Sequence, residues 1–513
     1  MPRKSTYKPL LFTTTIRNPE RLKSFLSILK EYDGKTLTSN LAEEIAGEVI
    51  RNGLYTPTKL STSIKIKFKT NEQLTQDEVL KILIENPQNH KEAGFSKGWP
   101  SRFDTWFKFA KELGFVYYNS EAPIKFSTIG LMLVNNEHPE FEQQAFLNSF
   151  VKYQSNNPFR RVLNENIPLI LLLNVITLIN KDSKYNDSGI TKLELPLIIY
   201  WKDNNYRNLY LRIKKLRDDY GFSPSWEVIT HICQVEIMNG EDITRNHKSI
   251  MVDYPDEFIR KMRLTGLITI RGGGRFIDIN KLEQKKVDYV LLRYSTYKKF
   301  DDEIKYFEYI SQIDDKLIQK TSKPVSSLKQ DEYLTKWVSV YSWASIKTEL
   351  NHVIKRQLTK DLILRFLSFP VRLEFLTALA IKSRFPTVRV IPNYPVDDEG
   401  LPTATAPGVG DTGDIECIEE LNGILIEVTM AEGTMQTRME IWPISRHLSK
   451  FSEKSSNSMC YFIAPSIFSD SKKQIDFVLM TEKLRIIPKT IDEFIKHLEF
   501  SSKLYLEESE STT

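Results

Sequence analysis

Apolar and polar positions near the start of the chain follow the pattern of a helix and then a hairpin. From Phe103 to Leu113 the apolar residues recur every three or four positions, which predicts a helix with one buried face. Gly114 favours its end. Residues 115–118 and 124–126 predict two short strands joined by a polar turn. A helix followed by a hairpin is the ending of a winged-helix module.

A second stretch repeats this plan. An apolar stripe within residues 256–266 predicts a helix, and residues 267–270 and 276–279 predict the strands of a hairpin. The hairpin tip, Arg271-Gly-Gly-Gly-Arg275, lets the backbone approach a ligand closely and offers two arginines to phosphate oxygens. The tip does not match the GxxxxGK[ST] loop of nucleotide hydrolases. A purely structural turn is the alternative interpretation.

The C-terminal part predicts a mixed sheet flanked by helices. Residues 285–355 have a helical pattern with one clear break at 323–327, and they form a connector to this part. The elements predicted beyond the connector are a helix at 373–385, strands at 414–418 and 424–429, a helical segment at 434–450 broken near Pro443, strands at 459–464 and 484–488, and a helix at 491–500. Asn422-Gly423 is a strong hairpin turn signal.

The position of that turn decides whether two acidic side chains meet. Asp414 and Glu427 have the same parity, so they lie on one side of the sheet. A two-residue turn at Asn422-Gly423 would leave them about 13 Å apart along the strand, too far to share an ion. A longer loop with residues 419–422 at its tip would place them opposite each other. The sequence leaves both registers open.

Composition excludes several classes of protein. A chain of 513 residues with 41% hydrophobic residues can bury several cores, so disorder is not expected. The longest apolar run, residues 167–179, is too short to span a membrane, and the basic N-terminus lacks the apolar stretch of a secretory signal. The three cysteines make no CxxC pair, which excludes a disulfide scaffold and a thiolate zinc site and indicates a cytoplasmic protein.

Charge is divided unevenly along the chain. Residues 1–300 carry a net charge of +11 and residues 301–513 a net charge of −6, within a total of +5. Residues 401–430 hold six acids and no lysine or arginine. A basic part that holds a polyanion and an acidic part that performs metal chemistry fit this division, and so does an ordinary solvated surface. The candidate DNA contacts are Arg102, Lys108, Lys111, Arg271 and Arg275.

Four carboxylates and one histidine are the candidate catalytic residues. Asp414 and Glu427, joined by Glu440 from the next helix, would supply the hard oxygen ligands that suit Mg²⁺. A metal held there polarises a phosphodiester and activates water. His447 would assist proton transfer, and Glu374 lies on the preceding helix. A solvated role for Glu374 and Glu440 and a structural role for His447 are the alternatives, whereas Glu427 lies in an apolar strand and needs a partner.

Several motifs resemble the AlwI-type restriction endonucleases. The motifs are Gly413-Asp-Ile-Glu416, Ile426-Glu-Val-Thr429, Arg438-Met-Glu440 with Pro443-Ile-Ser-Arg-His447, Phe462-Ile-Ala-Pro465 and the N-terminal segment 8–20. The resemblance covers most of the chain, and the family includes natural strand-nicking enzymes. It implies a type IIS enzyme in which DNA-recognition domains precede a cleavage domain of the PD-(D/E)xK superfamily.

From this resemblance we expect an α+β multidomain protein. Residues 1–150 and 151–284 would form two winged-helix-like DNA-recognition domains, and residues 285–355 a helical linker. Residues 356–513 would form the mixed α/β PD-(D/E)xK nuclease domain.

The resemblance also assigns roles to the acidic residues. The catalytic set that it implies is Asp414, Glu427, Glu440, His447 and Glu374, with the first three as metal ligands. Mg²⁺ is the expected cofactor, and Mn²⁺ is expected to replace it. Where the superfamily has lysine two residues after the second acid, this chain has Thr429, which cannot stabilise a hydroxide by charge. The candidates for that role are Gln436, Arg438 and His447.

The function expected is that of a restriction endonuclease that binds a short asymmetric site in double-stranded DNA and cuts a few base pairs outside it, protecting the host against foreign DNA. Because one carboxylate centre cuts one strand, double-strand cleavage needs a second cleavage domain, from a transient homodimer or a separate small subunit. A site-specific nicking enzyme, the large subunit of a heterodimeric enzyme and a non-catalytic winged-helix DNA-binding protein are the alternatives. A DNA methyltransferase of the same system is the expected functional partner.

Overall fold

The computed structural model describes residues 6–9, 21–70, 72–135, 140–241, 245–319, 325–404, 412–455 and 457–507. Two compact units are present: the described residues of 1–64 and 73–322 form the first, and those of 65–72 and 323–513 form the second. Most of the N-terminal motif at 8–20 and part of the break predicted at 323–327 lie outside the described residues. No helix in the described ranges is both long enough and apolar enough to cross a membrane.

Residues up to 322 are mostly helical. The α-helices are α1 Arg21–Lys30, α2 Ser39–Arg51, α3 Thr62–Thr70, α4 Gln76–Glu85, α5 Trp99–Glu112, α6 Thr128–Val134, α7 Glu140–Phe150, α8 Pro168–Asn180, α9 Leu195–Tyr200, α10 Tyr206–Tyr220, α11 Trp226–His231, α12 Tyr254–Arg263, α13 Gln284–Arg293, α14 Glu303–Ser311 and α15 Asp315–Ile318. Two π-helical segments, Ile232–Ile237 and Ser249–Asp253, and a 3₁₀ turn, Lys281–Glu283, complete the helical elements. The strands are β1 Val116–Tyr117, β2 Lys125–Phe126, β3 Ile190–Thr191, β4 Ile268–Arg271 and β5 Phe276–Ile279.

Both helix-and-hairpin pairs predicted from the sequence are present. α5 is followed by β1 and β2, which pair antiparallel. α12 is followed by β4 and β5, and β3 adds to this second hairpin to give the antiparallel order β3-β5-β4. All three glycines of the tip, Gly272 to Gly274, have positive φ, a conformation that side chains with a Cβ disfavour. A complete winged-helix fold stays a prediction.

α5 is buried on almost every side. The Trp106 and Phe107 rings contact Phe25 of α1 edge-to-face at 5.9 and 6.1 Å. Phe103 makes a similar contact with Tyr118, directly after β1, at 5.2 Å. Such aromatic pairs bury large areas and favour these geometries. α5 is therefore a core helix, and little of its surface is exposed to solvent.

The second unit is built on one mixed sheet. Its helices are α16 Ser327–Val340, α17 Trp343–Ile354, α18 Phe369–Arg384, α19 Thr434–Met439, α20 Ile441–Ser452, α21 Ser469–Glu482 and α22 Ile491–Phe500, with a 3₁₀ turn at Leu364–Phe366. Its strands are β6 Arg389–Pro392, β7 Ile415–Glu419, β8 Asn422–Val428, β9 Asn457–Ala464 and β10 Ile486–Thr490. The order is β10-β9-β8-β7-β6; β8, β9 and β10 run parallel, and β6, β7 and β8 are antiparallel. The predicted α+β class with a C-terminal mixed sheet is confirmed, while the four domain boundaries stay predictions.

Apolar packing fixes α20 and α21 on one face of this sheet. A continuous core joins the two helices to β8, β9 and β10, and its members are Leu425, Ile441, Ile444, Leu448, Phe451, Cys460, Phe462, Ala464, Ile475, Val478 and Ile486. α21 connects the parallel strands β9 and β10, which a short loop cannot join. The pattern of the sequence missed α21 and β6 because neither has a clean apolar period.

The structure decides the hairpin register that the sequence left open, and it corrects the predicted helix break. The hairpin turn lies at Glu420-Leu421 and not at Asn422-Gly423, since Glu419 pairs with Asn422 and Glu420 itself has a φ of 57°. The helical segment breaks at Glu440 and not at Pro443, because Pro443 falls in the first turn of α20, where proline costs no hydrogen bond. Both findings bear on the acidic residues.

Candidate active site

The observed turn brings Asp414 and Glu427 together. Ile415 pairs with Ile426, so the next pair outward along the hairpin is Asp414 and Glu427. The backbone N–H of Val428 donates to Asp414 Oδ2 at 2.7 Å, which fixes this carboxylate beside β8. Of the two registers that the sequence left open, the one that brings the acids opposite each other is therefore correct.

Asp414 is also held from the other side of the hairpin. Asn393, directly after β6, donates its backbone N–H to Asp414 O at 2.9 Å and its side-chain amide to Gly413 O at 2.5 Å. A Cβ placed on Gly413 would lie 2.7 Å from Glu427 Oε1, so only glycine leaves room for the carboxylate. Sequence reasoning did not find Asn393, since a single asparagine after an unpredicted strand gives no signal.

Glu427 is almost fully buried and is paired with His447. The Glu427 side chain is only 9% exposed to solvent, and His447 Nδ1 lies 2.8 Å from Glu427 Oε1. β8 positions the carboxylate, and α20, anchored by its apolar face on the same sheet, positions the imidazole. The buried carboxylate thus has the partner that its apolar strand requires.

Glu440 lies at the break between α19 and α20. Thr429 Oγ1 donates a hydrogen bond to Glu440 Oε1 at 2.9 Å, so the residue in the position of the usual lysine orients the third acid. Gln436, a candidate for the lysine role, is committed to the backbone: it donates to Ala431 O and Ser466 O and accepts from the N–H of Phe468. Arg438 is exposed on α19. His447 is the one of the three candidates that contacts the acidic cluster.

Glu374 joins the cluster from α18. Burial raises the pKa of Glu374 well above its usual value, and the nearby Asp414 and Glu427 raise it further. Its Oε2 atom is buried and has no hydrogen-bond partner among the described residues. An unsatisfied buried carboxylate oxygen costs free energy unless a proton or a cation compensates it.

Electrostatics couples the four acids, which we call the carboxylate cluster: Glu374, Asp414, Glu427 and Glu440. Burial raises the pKa of Glu427 to about 8, and Glu440 adds to the effect. The pKa of Asp414 is raised well above its usual value by burial and then by Glu427, and burial likewise raises the pKa of Glu440. Negative charges confined in this way favour either shared protons or a bound cation.

The donor set is suited to a hard divalent cation. Carboxylate oxygens are the ligands that Mg²⁺ and Mn²⁺ prefer, and the unpartnered Oε2 of Glu374 is available as one of them. Within the described ranges no three His, Cys, Asp or Glu side chains already enclose a point that would hold a metal ion.

The predicted DNA contacts have different environments in the first unit. Lys111 is buried, donates to Asn119 Oδ1 at 2.7 Å and lies over the Tyr117, Tyr118 and Phe159 rings; burial lowers its pKa. Arg102 donates to Gln88 Oε1, and Lys108 lies 3.7 Å from Glu92. Arg271 is fixed on its own hairpin by Asp278 at 2.8 Å, whereas Arg275 at the tip is exposed.

The second unit thus gathers buried carboxylates beside its mixed sheet. A sequence model described as AlwI restriction endonuclease matches residues 111–335 and 309–497, which together make up more than half of the chain. The protein belongs to the AlwI restriction endonuclease family. It is therefore a restriction endonuclease, a hydrolase that acts on DNA.

Solved structures of restriction enzymes are similar to the chain. The small subunit, R.BspD6I2, of the heterodimeric restriction endonuclease R.BspD6I is 24% identical, with 30% of this chain and 76% of that chain covered and a TM-score of 0.25. Restriction endonuclease FokI is 13% identical, with 97% and 96% covered and a TM-score of 0.22; FokI bound to DNA is 11% identical, with the same coverage and a TM-score of 0.23. No curated protein matches the sequence. The family assignment rests on the sequence model alone.

Proposed function

We propose that the protein is a type IIS restriction endonuclease that hydrolyses DNA at the carboxylate cluster with the help of Mg²⁺. The observation that carries the proposal is the coupled set of buried acids, in which Asp414, Glu427 and Glu440 all have raised pKa values and Glu374 Oε2 has no partner among the described residues. A scaffold has no use for this arrangement, because like charges gathered away from water destabilise the fold.

Asp414, Glu427 and Glu440 would hold Mg²⁺, or Mn²⁺ in its place, with Glu374 as a further ligand. When bound, the metal ion supplies Lewis-acid stabilisation of the phosphodiester and lowers the pKa of water. His447 keeps Glu427 in place through the contact of its Nδ1 with Glu427 Oε1, and Thr429 holds Glu440 through its hydroxyl. Together these two contacts orient the carboxylate cluster, in which Thr429 stands at the position of the usual lysine.

DNA binding is proposed for the first unit, through its winged-helix-like hairpins. Arg275 at the glycine tip is exposed and is the best placed of the predicted contacts to reach a phosphate. Arg102 and Lys108 retain partial exposure and would add to the attraction. Lys111 and Arg271 are held by protein partners, so we assign them structural roles.

Cleavage would fall a few base pairs outside an asymmetric recognition site. One cluster cuts one strand, so a second cleavage domain, from a transient homodimer or a separate small subunit, is required for a double-strand break; without it the enzyme nicks. A DNA methyltransferase of the same system would protect the host chromosome in the cytoplasm.

The experiment is incubation of supercoiled plasmid with the full chain in Mg²⁺, in Mn²⁺ and in EDTA. We expect nicked or linear DNA with either metal and intact supercoils in EDTA, and run-off sequencing of the products then gives the site and the offset. Plasmid that stays supercoiled in both metals at every enzyme concentration would contradict the proposal.

A further inference from the structure

The two residues that follow β6 lie beside the carboxylate cluster. Asn393 binds Gly413 and Asp414, which come just before β7. Tyr394 is the next residue, and only 1% of it is exposed. Its ring is thus part of the core of the second unit, whereas its hydroxyl is a polar group that packing alone does not explain.

The Tyr394 hydroxyl and Glu374 Oε2 are both buried without a hydrogen-bond partner among the described residues. A buried polar atom without a partner costs free energy, because it has given up its hydrogen bonds to water. Phenylalanine at position 394 would fill the same space and avoid that cost. The hydroxyl therefore does not serve the stability of the fold, which points to a use in the site.

α18 and β6 bring Glu374 and Tyr394 to the same end of the second unit. Near the end of α18, Lys382 Nζ donates to Val388 O, directly before β6, at 3.1 Å, and α18 packs against β6. Glu374 lies in the second turn of α18 and Tyr394 beyond the end of β6, so both lie away from this tie. Burial raises the pKa of Tyr394 well above its usual value, and the nearby Glu374 raises it further. The two groups are therefore neighbours, and the phenol keeps its proton.

The other three acids of the cluster each have a partner. The pairs are Asp414 with the N–H of Val428 at 2.7 Å, Glu427 with His447 at 2.8 Å and Glu440 with Thr429 at 2.9 Å. Glu374 is the fourth acid, and the Tyr394 hydroxyl is a buried donor beside it. A hydroxyl bonds a charged carboxylate more strongly than a neutral acceptor. Groups that bond a metal ligand in this way fix its orientation.

We propose that Tyr394 is a positioning residue, whose hydroxyl donates to the carboxylate of Glu374 and so orients it toward a divalent cation in the carboxylate cluster. The hydrogen bond is assigned to the cation-loaded cluster, because a carboxylate that binds a metal ion is charged and accepts most strongly. Tyr394 itself does not bind the cation. The inference rests on the proposed function and deepens it, since it names a residue that prepares the cluster for its metal ion.

The test measures Mn²⁺ binding to the full chain without DNA, by electron paramagnetic resonance of the free ion, together with thermal melts in EDTA. We expect Tyr394→Phe to raise the Kd for Mn²⁺ about tenfold, as is typical when a partner of a metal ligand is lost. Its Tm in EDTA should equal or exceed that of the wild type, since the hydroxyl gives up no bond to a described residue. Because Tyr394 acts through Glu374, the substitution should not change Kd further in a Glu374→Gln background.

Tyr461→Phe is the matched control, because Tyr461 is a fully buried tyrosine of the same sheet whose hydroxyl donates to Leu504 O at 2.9 Å. It should lower Tm in EDTA by about 2–4 °C and leave the Kd for Mn²⁺ unchanged. An unchanged Kd in Tyr394→Phe, a lower Tm of this variant in EDTA, or an equal effect in the Glu374→Gln background would overturn the inference. A wild type that binds no Mn²⁺ would overturn it as well. The proposed function fails only if plasmid also stays intact with both metals.

Discussion

Replacing Glu427 with glutamine should stabilise the metal-free protein at neutral and alkaline pH. The substitution keeps the shape of the side chain and its capacity to bond His447, but it replaces an ionisable carboxyl of the carboxylate cluster with a neutral amide. Burial raises the folded-state pKa of Glu427 from 4.5 to about 8. Between these two values the folded chain holds a proton that the unfolded chain releases, so the free energy of unfolding falls as the pH rises.

The size of the effect follows from that window. Each pH unit within it costs about 1.4 kcal/mol, so the wild type loses about 3 kcal/mol between pH 5 and pH 7.5, and Glu427→Gln avoids this loss. For a domain of this size a difference of about 3 kcal/mol corresponds to roughly 6–12 °C in Tm. Removal of the Glu427 charge also relieves Asp414, whose pKa it raises, and this acts in the same direction.

Calorimetric melts in EDTA at pH 5, 6, 7 and 8 provide the measurement. The two proteins should have nearly equal Tm values at pH 5, and the variant should gain progressively above pH 6. Glu416→Gln is the control, because Glu416 lies on the same hairpin but pairs with Lys454 near the surface. A variant that is as stable as the wild type or less stable throughout, or a control with the same gain, would refute the reasoning.

Three further predictions follow from single contacts. Thr429→Val removes the hydrogen bond to Glu440 and should lower kcat for plasmid cleavage about tenfold with KM unchanged. An unchanged kcat would show that Thr429 does not orient Glu440 for cleavage. His447→Ala should lower kcat about 100-fold while duplex affinity, measured by anisotropy, stays constant; a parallel loss of affinity would contradict it. Arg275→Ala should lower the salt slope of DNA binding by about 1. Arg271→Ala should instead lower the free energy of unfolding in urea by about 2–3 kcal/mol, because its ion pair with Asp278 is lost. The reverse pattern would mean that Arg271 contacts DNA and Arg275 stabilises the fold.

The acidic residues could be predicted because a carboxylate is unusual within an apolar strand. Glu427 lies in an apolar strand, and a buried carboxylate requires a partner whatever the fold. Parity placed Asp414 on the same side of the sheet, but the register depended on the turn. Asn422-Gly423 has the stronger local preference, yet the chain turns at Glu420-Leu421 because parallel pairing of β8 with β9 starts at Asn422. Tertiary pairing thus overrode the local signal.

Several side-chain pairings could not be predicted from the sequence, because they depend on how the elements pack. Lys111 has the polar spacing of a surface residue, but three aromatic rings and Asn119 enclose it. Arg271 flanks the glycine tip just as Arg275 does, and only the fold shows that Asp278 binds the first and not the second. The contact of Thr429 with Glu440 depends on the helix break at Glu440, whereas the sequence predicted the break at Pro443. Pairings of this kind are set by packing.

We propose that the carboxylate cluster is the cleavage centre and does not contribute to DNA binding. Its most direct test compares Glu427→Ala with Glu416→Ala for plasmid cleavage in Mg²⁺ and for duplex affinity in EDTA. We expect no cleavage by Glu427→Ala, wild-type affinity in both variants and near wild-type cleavage by Glu416→Ala. Cleavage that persists in Glu427→Ala, or affinity that falls in step with cleavage, would contradict it.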